Sequence, residues 1–144
     1  MVQKIKFYPV HRLVKSEDLN HHGTLFAGRA AEWFVESGFV AASTLLPPRN
    51  IICLKIHGMT FQRPVRAGNT ICFEGCIIAA GKTSLTAYVK MHHVLNEELI
   101  VDGFITFVHV DENARPVEHG ITIEVPSEYD DILKRVEALS RHTH

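Results

Sequence analysis

The segment over residues 25–46 limits what this chain can fold into more than any other feature, because apolar residues surround almost its whole helical wheel. A helix that is apolar on every side has to be buried on every side. Thr24 is the predicted N-cap of this helix, and Pro47-Pro48 is predicted to end it. The rest of the chain must therefore provide a wrapper that covers several faces of one central helix.

The sequence around this helix is typical of strands joined by short turns. Alternation over residues 2–10 predicts a strand, which Pro9 confines to a sheet edge. Turn residues such as Gly81-Lys82 favour an antiparallel meander after the helix. Residues 126–140 predict a short amphipathic helix. The strands of the meander are predicted over residues 50–61, 70–80, 83–94 and 99–110.

These elements together predict an α+β structure of the hotdog type, in which an antiparallel sheet wraps around one long central helix, here with a short C-terminal helix added. The chain has 144 residues, enough for one domain with a substantial hydrophobic core. The sequence contains no internal repeat, linker or low-complexity stretch. We therefore expect residues 1–144 to form a single hotdog domain.

Composition and charge narrow the class of partner and the cellular location. The formal net charge is −1, which provides no electrostatic reason to expect nucleic acid or an anionic membrane as partner. Residues 1–8 are charged and alternating, unlike a signal peptide. No apolar run is long enough to span a bilayer. We therefore expect a cytoplasmic protein that binds neither nucleic acid nor membrane.

The cysteines and histidines give no local sign of a disulfide framework or a metal site. Cys53, Cys72 and Cys76 stand in apolar surroundings and are expected to be small buried hydrophobes in a reducing compartment. The chain has ten histidines, but the pairs at residues 21–22 and 92–93 lack cysteine or carboxylate neighbours at metal-ligand spacing. No metal is therefore expected.

Residues 20–28, NHHGTLFAG, open the predicted helix, and residues 58–69, GMTFQRPVRAGN, precede the strand over residues 70–80. Together with GKTS at residues 81–84, these segments resemble the acyl-CoA thioesterases of the hotdog superfamily, in particular the small bacterial YciA type. The family patterns are N-x-x-G-x-(aliphatic)-x-G-G, G-M-x-F-x-R-P-V-x-x-G-D and G-x-T-S. The matching order runs through Val110-Asp111, so the resemblance covers most of the chain.

Two positions depart from the family pattern. Ala27 replaces the first glycine of the usual pair. The acidic residue that thioesterases of this type carry in the middle of the helix falls on Val35, and the nearest carboxylate is Glu36, one residue later. The stretch EWFVE at residues 32–36 is also similar to the W-F-E-E region of another hotdog thioesterase branch, in which two acidic residues are adjacent.

The resemblance implies an enzyme that hydrolyses acyl-CoA to a free carboxylic acid and CoA by general-base activation of water. No cofactor is expected, since CoA is part of the substrate. A homodimer or a higher oligomer, a tetramer or hexamer, is implied, with active sites at the dimer interface. Two other functions stay open: a non-catalytic hotdog protein that binds acyl-CoA or another ligand, and a hotdog dehydratase, although residues 25–46 contain no histidine.

Three residues form the predicted catalytic set. Gly28 lies in the first helical turn, where N–H groups lack intrahelical partners and the helix dipole favours negative charge, so its N–H is the candidate oxyanion donor. Glu36 is the candidate general base, with Glu32 as the alternative acid. Asn20 is expected to hold the water or the carbonyl through its amide.

Each of these residues also has a purely structural interpretation. A glycine at position 28 allows close packing of the helix on the sheet. Asn20 is equally suited to a turn in which its side chain bonds its own backbone. Arg29, Glu32 and Glu36 fall on one helical stripe and are able to form ion pairs with one another.

The spacing of Gly28 and Glu36 bears on the assembly. They are eight residues apart, or about 12 Å along a helix that rises 1.5 Å per residue. This is too far for both groups to act on one carbonyl and its water, so the geometry predicts a site shared between two subunits. The strand over residues 83–94 is expected to be exposed and to pair two protomers into one longer sheet.

The phosphates of CoA require cations and amide donors. By resemblance, Arg63 and Lys82 occupy family positions near the CoA-binding groove; otherwise they are ordinary turn residues. Met59 and Phe61 are expected to alternate on a strand and to flank the pantetheine arm, or else to belong to the core. The other residues expected to contact CoA, through hydroxyls and backbone amides, are Gly81, Thr83 and Ser84.

Overall fold

The computed structural model describes residues 1–140. Its helices are α1 (Ala27–Ser43) and α2 (Asp130–Ser140), and neither is long and apolar enough to cross a membrane. Helix α1 packs on a five-stranded antiparallel sheet, as the α+β prediction requires. The strands are β1 (Val2–Lys4), β2 (Tyr8–Leu13), β3 (Ile51–Ile56), β4 (Thr70–Ala80), β5 (Ser84–His93), β6 (Leu99–His109) and β7 (Thr122–Glu124).

Helix α1 is shorter than the predicted span of residues 25–46. Phe26, not Thr24, is its N-cap, and the helix ends at Ser43. The predicted cap was wrong because Thr24 forms a β-bridge with Arg66, and the helix begins only after Phe26. The central helix is therefore confirmed as an element, with 17 residues instead of the longer predicted span.

Helix α1 buries one face against the sheet instead of its whole circumference. On the sheet side, Phe73 of β4 meets the ring of Trp33 edge-on, with 6.2 Å between ring centroids. Val40, on the opposite side of the helix, is exposed. The five strands cover only the side of the helix that faces them. The predicted covering of the helix by the sheet is therefore confirmed for that side alone. The buried residues recur every three or four positions and are Ala30, Trp33, Phe34, Ser37, Gly38, Ala41 and Ala42.

The strand order in the large sheet is β2-β4-β5-β6-β3. The meander prediction is confirmed for β4, β5 and β6, but β3 pairs with β6 instead of β4. The prediction that residues 83–94 form an exposed strand was wrong, because β5 is hydrogen-bonded on both sides. The exposed edges of the sheet are β2 and β3.

The N-terminal strand predicted over residues 2–10 is split into two pieces. Strand β1 pairs in parallel with β7, an element too short to be predicted. Strand β2 extends to Leu13 and pairs with β4. Pro9 lies within β2, at the sheet edge as expected, where its missing N–H removes no internal ladder bond.

Two glycines set how closely α1 approaches the sheet. A Cβ atom on Gly75 of β4 would lie 2.8 Å from the carbonyl oxygen of Ser37, in the backbone of the helix. A Cβ atom on Gly38 would also come within 2.8 Å of an atom, but that atom is the terminal Cδ1 of Ile105, and the next neighbours are at ordinary contact distance, 3.5 Å. Backbone cannot yield without moving the helix, whereas the end of an isoleucine side chain can rotate away.

We expect Gly75→Ala to destabilise the protein by about 1–3 kcal/mol, the usual penalty of overpacking a core. Gly38→Ala is the matched control. Its smaller steric penalty is offset by the roughly 0.5–1 kcal/mol that alanine adds to a helix over glycine. The measurement is urea unfolding of both variants beside the parent. Equal destabilisation by the two substitutions would contradict a backbone contact at Gly75.

The other face of the sheet carries a second apolar cluster, formed by Cys76, Ile78, Tyr88 and Phe104. Helix α2 and the turn before it cover this cluster through Tyr129, Ile132, Val136 and Leu139. Burial raises the pKa of the Cys76 thiol to about 12, so this cysteine is a small hydrophobe, as expected. Cys53 is different: it is exposed on edge strand β3, so the prediction that all three cysteines are buried was wrong.

One polar network ties α2 to the sheet. The Arg135 guanidinium donates two hydrogen bonds to the Asp102 carboxylate, at 2.8 and 2.9 Å. The Tyr88 hydroxyl donates a third at 2.8 Å. The hydrogen bonds from Arg135 lower the pKa of Asp102 below its ordinary value. Partial burial opposes this shift, and the hydrogen bond from Tyr88 adds to it.

A carboxyl whose pKa is lowered on folding contributes stability above its unfolded pKa and loses it as the pH falls through the folded pKa. We therefore expect Asp102→Asn to lower the free energy of unfolding by about 1–3 kcal/mol at pH 7. The difference should shrink as the pH falls below about 4. Glu112→Gln, in an exposed turn, is the control. Urea unfolding across this pH range tests the idea, and a difference independent of pH would rule it out.

Candidate active site

The turn over residues 20–24 is built by the side chain of Asn20. Its Oδ1 accepts the N–H of His22 at 2.9 Å and the N–H of Thr24 at 3.2 Å. Its Nδ2 donates to the Thr24 hydroxyl at 3.2 Å. Gly23 adopts a left-handed φ of +78°, which suits glycine. The turn-forming interpretation of Asn20 is therefore confirmed for Oδ1, while Nδ2 holds only a hydroxyl that another ligand can replace.

A buried carboxylate supports the start of helix α1. The side chain of Asp18 is only 4% exposed and lies 3.5 Å from Nε of Arg29. Its Oδ2 accepts the N–H of Lys15 at 2.9 Å, and its carbonyl oxygen accepts the N–H of Phe26 at 2.8 Å. Negative charge is favourable at a helix N-terminus. In the sequence, Asp18 resembles a solvated turn residue, and no local signal marks it as buried.

Gly28 is the second residue of α1, ahead of the first intrahelical hydrogen bond. The first such bonds are donated by Arg29 and Ala30 to the carbonyl oxygen of Phe26, at 3.0 and 3.1 Å. A Cβ atom on Gly28 would lie 2.6 Å from the Phe26 ring, which is itself half-exposed. The N–H of Gly28 therefore lies at the positive end of the helix, where N–H groups lack intrahelical partners.

A cavity of about 310 Å³ connects this region to the segment after β3. Asn20 and Ala27 lie on one side of it, and Arg63 lies on the other. The two sides are joined by the N–H of Leu25, which donates to the carbonyl oxygen of Val65 at 2.7 Å. The full lining is Asn20, Thr24, Leu25, Ala27, Phe61, Gln62, Arg63, Pro64 and Val65. The structure therefore brings the two segments that carried the resemblance together.

The residues predicted to contact CoA from residues 58–65 are not on a strand. Strand β3 ends at Ile56, and Gly58 has a left-handed φ of +102°. Met59 packs against the core, whereas Phe61 is exposed at the cavity. Arg63 is half-exposed and lies 3.5 Å from a carboxylate oxygen of Glu98, so its guanidinium is within reach of solvent and of an incoming anion.

The GKTS turn lies elsewhere in the protomer. Gly81 and Lys82 border a different cavity, of about 590 Å³, together with His119. Ser84 opens β5, and its carbonyl oxygen contacts Nε2 of His119 at 2.8 Å. This cavity shares no lining residue with the Asn20 cavity. Within one protomer, the structure does not bring Lys82, Thr83 and Ser84 to the cavity that Arg63 lines.

The mid-helix carboxylate Glu36 is held by a strand residue. Its Oε2 lies 3.0 Å from Nη2 of Arg12, whose guanidinium also stacks over the ring of Trp33. The predicted stripe of ion pairs along the helix was wrong, because Arg29 pairs with Asp18 instead. Glu36 is about half-exposed.

Two other residues of the helix bear on the catalytic prediction. Glu32 is exposed one turn before Glu36. Val35, where the family pattern has an acid, is partly buried against the core. Gly28 and Glu36 lie on the same continuous helix, so they are separated by about 12 Å along its axis, as the sequence spacing predicted.

Two substitutions distinguish the turn-forming Oδ1 of Asn20 from its Nδ2 donor. Asn20→Asp keeps the Oδ1 acceptor that forms the turn, so we expect its free energy of unfolding to stay close to that of the parent. Asn20→Ala removes the acceptor and should cost about 1 kcal/mol, the net value of a typical hydrogen bond. Thermal or urea unfolding provides the measurement. Equal loss in both variants would show that Oδ1 does not hold the turn.

Comparison with known proteins identifies the family and the fold. A family model described as Thioesterase superfamily matches residues 22–99. An uncharacterized acyl-CoA thioester hydrolase of Bacillus subtilis, YkhA, is 26% identical over 128 residues, which span 86% of this chain and 73% of the relative.

Solved structures have the same fold. The crystal structure of an apo-hexameric acyl-CoA thioesterase superposes with a TM-score of 0.83 at 26% identity, over 94% of this chain and 89% of the other. An acyl-CoA hydrolase from Staphylococcus aureus, solved in complex with butyryl coenzyme A and coenzyme A, has a TM-score of 0.81 at 21% identity. That match covers 98% of this chain and 89% of the other. The predicted hotdog fold is confirmed.

Proposed function

The chain belongs to the Thioesterase superfamily, and from this premise we propose that it hydrolyses acyl-CoA thioesters to a free carboxylic acid and CoA. The observation that carries the proposal is the cavity of about 310 Å³ in which Asn20, the start of α1 and Arg63 meet. It offers an amide, a helix N-terminus and a cation around one space. The relatives named acyl-CoA thioester hydrolases support the choice of substrate.

The proposed reaction consumes one water molecule. The water oxygen bonds to the thioester carbonyl carbon while a carboxylate base takes a proton from the water. The carbonyl π electrons move to oxygen, and the N–H of Gly28 donates to the resulting oxyanion at the positive end of α1. Collapse of the tetrahedral intermediate breaks the C–S bond. The CoA thiolate leaves and takes up the proton.

Asn20 is proposed to contribute its Nδ2. The Oδ1 atom is occupied by two backbone N–H groups of the turn, but Nδ2 donates only to the Thr24 hydroxyl at 3.2 Å. Both Asn20 and Thr24 line the cavity. A substrate carbonyl or the attacking water would take the place of the Thr24 hydroxyl as the acceptor of this N–H.

The general base is proposed to come from a second subunit. Gly28 and Glu36 of one protomer are about 12 Å apart and cannot serve the same carbonyl. Glu36 of the partner subunit is the proposed base, and Glu32 is the alternative on the same helix. The carboxylate of Glu36 pairs with Arg12, and this guanidinium competes with water for it. Both Glu36 and Glu32 are therefore tested as the base.

Strand β3 supports a homodimer as the working unit. It is an edge strand on which Ile52, Leu54 and Ile56 are 44%, 66% and 46% exposed. Exposed apolar edges associate unless they are covered. Pairing of β3 with a second copy would cover them and bring the partner next to residues 57–65, which lead into the cavity. A hexameric relative supports assembly beyond a dimer.

The same arrangement would complete the CoA site. Arg63 and the backbone of the cavity are proposed to hold part of the CoA moiety, with Met59 beneath it. Lys82 is exposed and borders a different cavity of the protomer, so it is proposed to reach this cavity from another protomer. Gly81, Thr83 and Ser84 would accompany Lys82 and add backbone and hydroxyl donors to the phosphates.

One observation favours a second candidate, an acyl-CoA-binding protein without hydrolase activity. Val35 occupies the mid-helix position where the family carries an acid, and the neighbouring Glu36 is already held by Arg12. Such a protein would keep the cavity and the cations but would lack a base to activate water. Release of CoA separates the two functions directly.

The test is CoA release from acyl-CoAs of increasing chain length, in a Cys53→Ser background because this exposed thiol would react with thiol reagents. We expect turnover in the parent and a loss of about 100-fold in kcat for Asn20→Asp, which lacks the amide donor. Unchanged kcat in Asn20→Asp would refute the role of Nδ2. Measurable acyl-CoA binding by calorimetry without any CoA release would establish the binding protein instead.

A pair of variants tests the shared site. Glu36→Gln should reduce kcat by about 100-fold or more, and Glu32→Gln is its matched control one turn away. Mixing Glu36→Gln with Asn20→Asp protomers should restore part of the activity that neither variant has alone, since mixed dimers contain one complete site. If the mixture stays inactive, the site does not combine these residues across subunits. If Glu32→Gln alone abolishes activity, Glu32 is the base.

A further inference from the structure

Three side chains on the face of the sheet opposite α1 converge on one point. Cys72 and Glu74 are two residues apart on β4, so both project from the same face. His92 of β5 is the direct cross-strand partner of Cys72 and projects from that face as well. One ligand atom from each residue lies within 4.8 Å of the other two.

This cluster combines three kinds of ligand that transition metals prefer. A thiolate and an imidazole select zinc-like ions over magnesium or calcium, and a carboxylate completes a three-ligand set of the kind found in open zinc sites. In a tetrahedral zinc site, ligand atoms are about 3.5 Å apart. Side-chain rotations that move each ligand atom by about 1 Å would bring the three atoms to that separation. Cys72 is buried, while Glu74 and His92 keep access to solvent.

The orientation of His92 is compatible with its use as a metal ligand. Its Nδ1 lies 3.3 Å from the carbonyl oxygen of His93, and metal-binding histidines commonly donate their other N–H to such a carbonyl. In the tautomer that makes this bond, Nε2 has a lone pair. Nε2 lies 2.9 Å from Oε1 of Glu74. That distance is an ordinary hydrogen bond, which a proton on Nε2 or on the carboxyl satisfies, and a metal ion would replace that proton.

We propose that Cys72, Glu74 and His92 bind one divalent ion of the zinc class, with water in the fourth position. The ion would take the place of the proton between His92 and Glu74 and would displace the thiol proton of Cys72. The site lies on the face of the sheet opposite α1 and the Asn20 cavity. The proposal therefore does not depend on the proposed thioester hydrolysis.

One neighbouring positive charge opposes the binding of a cation. Lys90 is the cross-strand partner of Glu74 and projects from the same face. Its ammonium lies over the ring of Phe7, 5.0 Å from the ring centroid. This contact holds the charged group away from the cluster. A lysine at this position favours a site with two anionic ligands over a neutral one. The Cys72 thiolate and the Glu74 carboxylate provide that negative charge.

Cobalt(II) is the probe, because a cobalt–thiolate bond produces a charge-transfer band that histidine and carboxylate ligands do not. We expect the full-length, chelator-treated protein to bind one Co²⁺ with this band and Zn²⁺ to abolish it by displacement. Cys72→Ser should lose the band, and His92→Gln should weaken Co²⁺ binding at least ten-fold. The matched controls are Cys53→Ser and His93→Gln, which should both retain the band.

Several outcomes would overturn the site. A parent protein that binds Co²⁺ without the thiolate band has only adventitious histidine sites. A band that persists in Cys72→Ser and disappears in Cys53→Ser assigns the metal to the exposed cysteine instead. If Cys72→Ser fails to fold, Glu74→Gln and His92→Gln decide the matter, and unchanged Co²⁺ affinity in both would refute the proposal.

Discussion

The contact between the backbone of helix α1 and strand β4 is the constraint on which the rest of the structure depends. Gly75 offers no side chain where the carbonyl oxygen of Ser37 approaches, so helix and sheet meet more closely than any other residue would permit. This approach holds the apolar face of α1 in the core, with Trp33 against Phe73. A side chain at position 75 would push the two apart, so this contact sets the distance between helix and sheet at Ser37.

A fixed helix N-terminus gives the candidate active site its geometry. Asp18 and the side chain of Asn20 hold the chain as it enters α1, and the bond between Leu25 and Val65 attaches the segment after β3 to the same place. The N–H of Gly28 then has a defined direction, which is what electrostatic stabilisation of an oxyanion requires. The length of the same helix keeps Glu36 away from this point. In the proposed mechanism, one rigid helix supplies half of the site and Glu36 of the partner subunit supplies the other half.

The two faces of the sheet contact different elements and carry different clusters of side chains. One face buries α1 and leads to the cavity at Asn20. The other is covered in part by α2, held through Arg135 and Asp102, and carries the Cys72–Glu74–His92 cluster. Because successive residues of a strand alternate between faces, a single strand such as β4 contributes to both without conflict: Phe73 and Gly75 face the helix, while Cys72 and Glu74 face the other way.

Local chemistry determined the parts of this protein that the sequence alone could predict. The apolar spacing of residues 25–46 indicated α1, turn residues separated β4, β5 and β6, and the patterns at residues 20–28 and 58–69 marked the two sides of the cavity. These signals act between residues close in the chain. Tertiary structure alone decided that β3 crosses to β6, that β5 is internal, that Glu36 pairs with Arg12, and that His92 meets Cys72 and Glu74. Such outcomes depend on strand register and helix docking, which are set by the sum of many distant contacts and leave no pattern in the neighbouring residues.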